Sequence, residues 1–299
     1  MLDGTLMVAT LLDGKACSAT VEAALVNRIE SCIKGGITPH LAVVIVGNDP
    51  ASHVYVGAKI KACQRLGIKS THIELSEDTS ESELGRIIGN LNNDKNVHGI
   101  LIQSPLPNHM NEQKLTDLIN PSKDVDGFHP VNLGRLVQSR DDGLIPCTPH
   151  GVMRLLEWAG IGTRGKTALV IGRSQNVGMP QAILLASRGV DATVTIGHSR
   201  TEDMKSQCQQ ADIVVAAVGR PNMIKKSWIK PGAVVVDVGI NRVEDKESPR
   251  GYALIGDVEE SAKEVASWIT PVPGGVGPMT VAMLMENTVV AAENRLNKQ

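Results

Sequence analysis

Aromatic side chains are nearly missing from this chain: Phe, Tyr and Trp together make up 2% of its 299 residues. That scarcity excludes an aromatic core and leaves little with which to stack nucleic-acid bases. Charge of one sign is also lacking. The formal net charge is −2, so there is no basic footprint for a polyanionic partner. Paired cysteines are absent. Cys17, Cys32, Cys63, Cys147 and Cys208 are odd in number and show no C-x-x-C spacing, which argues against a disulfide framework or a zinc site and for a reducing compartment. None of the eight histidines has an H-x-x-x-H partner, and no metal is expected. No apolar run reaches the length of a membrane span. The N-terminus carries Asp3 and no early Lys or Arg, unlike a secretory or mitochondrial leader. The expected location is the cytoplasm.

What remains is an aliphatic chain, 42% hydrophobic and long enough for two domains. Its organising stretch starts with Leu41 to Val46, an apolar run that reads as a buried parallel strand. Gly47-Asn48-Asp49-Pro50 follows as a turn, with Asp49 as N-cap and proline at the first helical position. A helix is expected from Pro50 to Leu66, stopped by Gly67. Helical spacing puts Tyr55 and Lys59 on one face, beside an apolar stripe of Val56, Ile60 and Cys63. Lys61 points the other way. Lys59 then has two readings: an edge lysine running past an aromatic ring, or an amine partly desolvated near a strand end and able to exchange protons near neutral pH.

Further helices are expected over Ala16 to Ile33 and Glu81 to Leu91, the second capped by Thr79 or Ser80, with residues 1 to 10 as a loose lead-in. Strands are expected at Ser70 to Leu75 and Val97 to Gln103. The latter ends in an amide where open α/β sheets hold their ligands, so Gln103 is either a ligand group or a cap. Ser104-Pro105-Leu106-Pro107 can be neither helix nor central strand. Asp126-Gly127 marks a turn. Asp126 could grip an amidine-like ring edge or be a plain turn acid.

Cys147-Thr148-Pro149 opens a helix, with Thr148 as the expected cap. The strand Ala168 to Ile171 then runs into Gly172-Arg173-Ser174-Gln175-Asn176-Val177-Gly178 and a helix through Leu185. This resembles a dinucleotide turn, although Ser174 replaces the second glycine and Gly178 comes one residue late. Strands at 192–196, 212–218 and 234–238 complete the spacing of a doubly wound, Rossmann-like parallel sheet. The second of these nucleotide-half strands ends Gly197-His198-Ser199-Arg200 with no acid to hold ribose hydroxyls. Arg173, Ser199 and Arg200 could receive a 2′-phosphate instead, which favours NADP over NAD. Thr270 to Pro278 is rich in Gly and Pro and can approach a ligand closely. A final helix over Met279 to Arg295 is expected to pack back on the first domain.

On these residues the chain resembles the FolD family of bifunctional methylenetetrahydrofolate dehydrogenases/methenyltetrahydrofolate cyclohydrolases. The motifs are Pro50-Ala51-Ser52 with Tyr55, Lys59 and Lys61; Leu91-Asn92-x-Asp94 leading to Gly99 through Gln103; Lys123 to Phe128; Gly172-Arg173-Ser174 with Val177-Gly178-x-Pro180; and Pro271 through Thr280. They span nearly the whole chain. The resemblance implies an N-terminal α/β folate-binding domain (1–147 and 279–299), a Rossmann-like NADP domain (148–278) and a cleft between them. It implies Lys59 as the catalytic group, tuned by Gln103 and helped by Lys61, with Tyr55 stacking on the pterin. Asp126, Pro271, Gly274 and Gly275 would contact substrate. Gly172, Arg173, Ser174, Val177, Gly178, His198, Ser199, Arg200, Val218, Gly219, Ile240, Gly277 and Thr280 would hold NADP. A homodimer, one-carbon metabolism and purine biosynthesis are further implications, with a dehydrogenase lacking the hydrolase as the alternative. Two positions depart from the family pattern: Ser104, where leucine is usual, and Asn176, where an aliphatic residue is usual.

Overall fold

Apolar runs bounded by turn residues become short buried strands, and amphipathic helices follow most of them. The computed structural model describes residues 8–248 and 251–297. In chain order, the first half contains β1 (Thr10–Leu11), α1 (Gly14–Lys34), β2 (His40–Val46), α2 (Pro50–Leu66), β3 (Lys69–Leu75), α3 (Glu81–Asn93), β4 (Gly99–Ile102), α4 (Glu112–Thr116) and α5 (Pro130–Val137). The second half contains α6 (Cys147–Trp158), β5 (Thr167–Ile171), α7 (Gly178–Ala186), β6 (Thr193–Gly197), α8 (Met204–Gln210), β7 (Ile213–Ala216), β8 (Val234–Asp237), β9 (Asn241–Glu244), β10 (Tyr252–Ile255), β11 (Trp268–Ile269) and α9 (Val276–Leu296). Two compact units result. One comprises Ala19–Cys147 with the segment from Val281; the other comprises the segment up to Ser18 with Thr148–Thr280.

The unit carrying residues 19–147 is built on a three-stranded parallel sheet, ordered β3-β2-β4. All seven residues of β2 are buried, as expected for a central strand covered on both faces. Helix α2 forms as its caps dictate. The Asp49 carboxylate accepts from Ser52 N at 2.8 Å, Pro50 fills the first turn, and Gly67 closes the helix at φ 73°. Losing such a cap costs about 1 kcal/mol. Ser80, not Thr79, caps α3. One apolar core lies among β2, α3 and β4, with Leu84, Ile88 and Ile100 fully enclosed. The C-terminal part of α9 packs in this unit, where Ala292 and Leu296 meet Cys32 and Ile37. Arg28 ties α1 to α9 through Glu293 and Glu286.

The other unit holds a six-stranded parallel sheet, ordered β6-β5-β7-β8-β11-β1. Sequence order reverses between β5 and β7, which defines the switch point of a doubly wound sheet. The loose lead-in expected over residues 1–10 is corrected in part. Thr10 and Leu11 pair with Trp268 and Ile269 as an edge strand, while residues 1–7 lie outside the described residues. Two-residue strands bury too little to leave a pattern in sequence. The hairpin β9-β10 was likewise not expected. Among the described residues, no helix is long and apolar enough to cross a membrane.

Candidate active site

Lys59 follows from the α2 register. It lies one turn beyond Tyr55 and is half-buried, while Lys61 is exposed. Tyr55 is 45% exposed. Strand β4 delivers Gln103, 8% exposed, to the same place, and Lys59 Nζ donates to Gln103 Oε1 at 2.9 Å. The Gln103 amide has a fixed orientation, because its Nε2 donates to the Ser104 carbonyl at 2.7 Å and so presents the oxygen to the amine. The Ser104 hydroxyl takes no part in that pair. It donates to Glu112 Oε1 at 2.6 Å, at the start of α4.

Asp126 arrives on the loop after the bridge between Ile100 and Asp124. Its carboxyl is pushed up to about 6. Burial is the main cause, the Lys59 charge opposes it, and Asp124 and Glu112 add repulsion. Three restraints hold this loop. The Asp124 carboxylate accepts from Phe128 N, His129 N and Asn132 Nδ2. Cys147 N donates to the Asp126 carbonyl. Asn287 on α9 donates to the carbonyls of Val125 (2.8 Å) and Ile145 (2.9 Å). Gly127 is required in the turn: its φ is +79°, and a Cβ there would lie 2.5 Å from Pro146 N.

In the other unit, Gly172 and Gly178 let the turn after β5 close tightly. A Cβ at Gly172 would lie 2.2 Å from the Ala217 carbonyl oxygen, and one at Gly178 would lie 2.2 Å from that of Gly172. Ser174 stands in for the missing glycine by accepting from Val177 N and Gly178 N at 3.2 and 3.3 Å. A recess of about 310 Å³ opens at the switch point, lined by Gly172, Arg173, Ser174, His198, Ser199, Val218, Arg220 and other residues of the β5, β6 and β7 ends. No carboxylate lines it, so it suits a phosphate-bearing nucleotide. Arg200 is exposed but is not part of the lining. Gly219 lies beside the recess, between Val218 and Arg220.

Elsewhere in this unit, a Cβ on Gly277 would come within 3.6 Å of Ile240 Cδ1. Gly275 N donates to the Pro271 carbonyl, and Gly274 has φ +111°. The expectation that Thr148 caps its helix is corrected. The helix starts at Cys147, two residues before the expected first position at Pro149, so Thr148 lies inside it, and the Thr148 hydroxyl meets Thr280 Oγ1 at 3.0 Å.

The sequence reading missed four groups. Asp257 is fully buried and accepts from the amides of Val218, Gly219 and Arg220 at 2.7, 3.0 and 2.9 Å. Asp237 accepts from Gly239, Asp257 and Val258 amides. Burial, with the Asp257 charge adding to it, lifts its carboxyl to about 6 against those amides. Arg220 and Asn287 are the other two. The only signal for the aspartates was an acid ending a buried run, Val234 to Asp237, and another after Gly256.

Two family models cover the chain: tetrahydrofolate dehydrogenase/cyclohydrolase catalytic domain over residues 12–126, and the NAD(P)-binding domain of the same family over residues 146–296. The bifunctional protein FolD of Acetivibrio thermocellus is 54% identical over 288 residues, 96% of this chain and 98% of that protein. The crystal structure of the bifunctional enzyme FolD from Campylobacter jejuni superposes with a TM-score of 0.91 at 46% identity, covering 96% of this chain and 99% of that one. FolD from Trypanosoma brucei, solved with NADP cofactor and inhibitor, gives 0.91 at 38% identity, covering 96% and 98%.

Proposed function

Because the chain belongs to the tetrahydrofolate dehydrogenase/cyclohydrolase family, we propose that Lys59, Gln103, Tyr55 and Asp126 carry its folate chemistry. The reactions are oxidation of 5,10-methylenetetrahydrofolate to the methenyl compound with NADP+, then hydrolysis to 10-formyltetrahydrofolate. The observation that carries this reading is the 2.9 Å contact between Lys59 Nζ and Gln103 Oε1, with the half-buried Asp126 carboxyl within reach of the Lys59 charge.

The folate belongs to the unit with Lys59, and the nucleotide to the unit with Gly172. Asp126 can accept two N–H bonds from the amidine edge of a pterin, and Tyr55 offers its exposed ring for stacking. Bound NADP+ supplies the hydride acceptor. Gly172, Arg173, Ser174, His198 and Ser199 would hold it. Lys59 serves the hydrolysis. In its unprotonated form it can take a proton from the attacking water, and it places no second cation beside the methenyl carbon. Gln103 fixes where that amine points. The exposed Lys61 acts only as a nearby charge. Homodimer formation, a cytoplasmic location and service to purine biosynthesis complete it.

The test is a paired assay on the purified protein with NADP+ and with NAD+. Methenyl formation and methenyl disappearance are followed separately. Disappearance at the buffer rate alone would sink the hydrolase reading and leave a dehydrogenase.

A further inference from the structure

We propose that Arg220, together with Arg173, receives the 2′-phosphate that separates NADP+ from NAD+, and that Arg200 does not. The proposal rests on the nucleotide reading above. Topology is its first support. Strands β5 and β7 are neighbours, with Ile171 opposite Ala216, and chain order reverses between them. Arg173 follows the end of one strand by two residues and Arg220 the end of the other by four, so both emerge at the carboxyl edge where such sheets bind nucleotides.

The recess supplies the second support. Arg173, Arg220 and Ser199 line it together, and no acid does. Among the described residues, neither guanidinium has a hydrogen-bond or ion-pair partner, so both forks are available to phosphate oxygens. The third support is positioning. The buried Asp257 carboxylate accepts the N–H groups of Val218, Gly219 and Arg220, and also Asn241 Nδ2 at 3.0 Å. Arg220 is therefore carried on a backbone fixed before any ligand arrives. Arg200 sits on the turn closed by His198 N on Thr201 Oγ1 and Thr201 N on the His198 carbonyl; His198 and Ser199 of that turn line the recess, and Arg200 does not.

The experiment is isothermal titration of the full chain with NADP+ and, separately, with NAD+. The proteins are wild type, Arg220→Gln, Arg220→Lys and Arg200→Gln. Expected is a loss of roughly tenfold or more in NADP+ affinity for Arg220→Gln, with NAD+ affinity held within about twofold and partial recovery in Arg220→Lys. Arg200→Gln should leave both affinities near wild type. NAD+ binding reports that the fold is intact. A selective NADP+ loss in Arg200→Gln but not in Arg220→Gln overturns the assignment while leaving the NADP reading standing. Equal loss of both nucleotides in Arg220→Gln also overturns it, because the residue then serves the fold. A wild-type protein with no preference for NADP+ refutes the NADP reading itself.

Discussion

Replacing Asn287 by alanine should damage the folate site from the far side of its loop. Asn287 is 3% exposed on α9, and both hydrogens of its amide nitrogen are used, on the carbonyls of Val125 and Ile145. These carbonyls bracket Asp126 and the glycine turn. In the alanine variant the half-buried Ile145 carbonyl loses its side-chain donor, and the buried Val125 carbonyl is left with only the weak Cys147 thiol donor at 3.1 Å. Each buried unsatisfied group costs about 1–3 kcal/mol, and a small cavity adds to it. A loss of about 2–5 kcal/mol follows, which for a unit of this size lowers Tm by about 5–15 °C. Function should change in a particular direction. A loosened Asp126 weakens pterin binding, so KM for the folate rises severalfold while KM for NADP+ holds. Thermal denaturation and steady-state kinetics on the same preparation check both parts. An unchanged Tm would refute the hydrogen-bond reasoning, and a lowered Tm with unchanged folate KM would refute the link to Asp126.

Lys59→Gln should abolish methenyl hydrolysis while measurable hydride transfer survives; equal loss in the two separate assays would reduce Lys59 to a binding group. Asp126 titrates at about 6, so affinity for a folate analogue should fall as pH drops through 6 and level off above 7. The same raised pKa acts on the fold in the opposite sense. Its contribution to stability is fully present below about pH 4, where the unfolded carboxyl is also protonated, and is lost as pH rises through 6. Asp237 shares that trend, so the comparison is of denaturation curves for wild type and Asp126→Asn, whose difference should narrow toward low pH. Gln181 is fully buried; among the described residues its Oε1 has no hydrogen-bond partner and its Nε2 reaches only the Met153 sulfur. Gln181→Met should therefore raise stability by about 1 kcal/mol, read as a higher denaturation midpoint.

Much of the folate half was legible because its signals are local. Asp49, Pro50 and Gly67 bracket α2, and the bracket alone places Lys59 relative to Tyr55. Gln103 was legible as the polar end of an apolar strand. Arg220 was not, because its significance depends on β7 lying beside β5, a pairing between residues more than forty positions apart. Asp257 was hidden for the same reason: its work is done on amides 37 to 39 residues earlier. Arg200 looked right because it follows a strand end, yet the two residues before it, His198 and Ser199, line the recess and it does not: position in a turn does not fix which side chain faces the site. Ser104 stood out as a departure beside Gln103. Its backbone carbonyl, which every residue possesses, does the orienting, while its hydroxyl goes to Glu112.

The compact units are interleaved along the chain, each drawing on two separate segments. During synthesis this reverses the usual order of completion. The Lys59 unit is begun early, with β2, α2 and Gln103 all made before residue 104. It nevertheless lacks the Asn287 clamp and the helix that covers Cys32 and Ile37 until the nucleotide unit has been made in full. The nucleotide unit, although most of it is translated second, has its last segment by Thr280 and can close first. A chain ended between residues 280 and 287 would therefore hold every segment of the nucleotide unit while its Asp126 loop lacked its anchor.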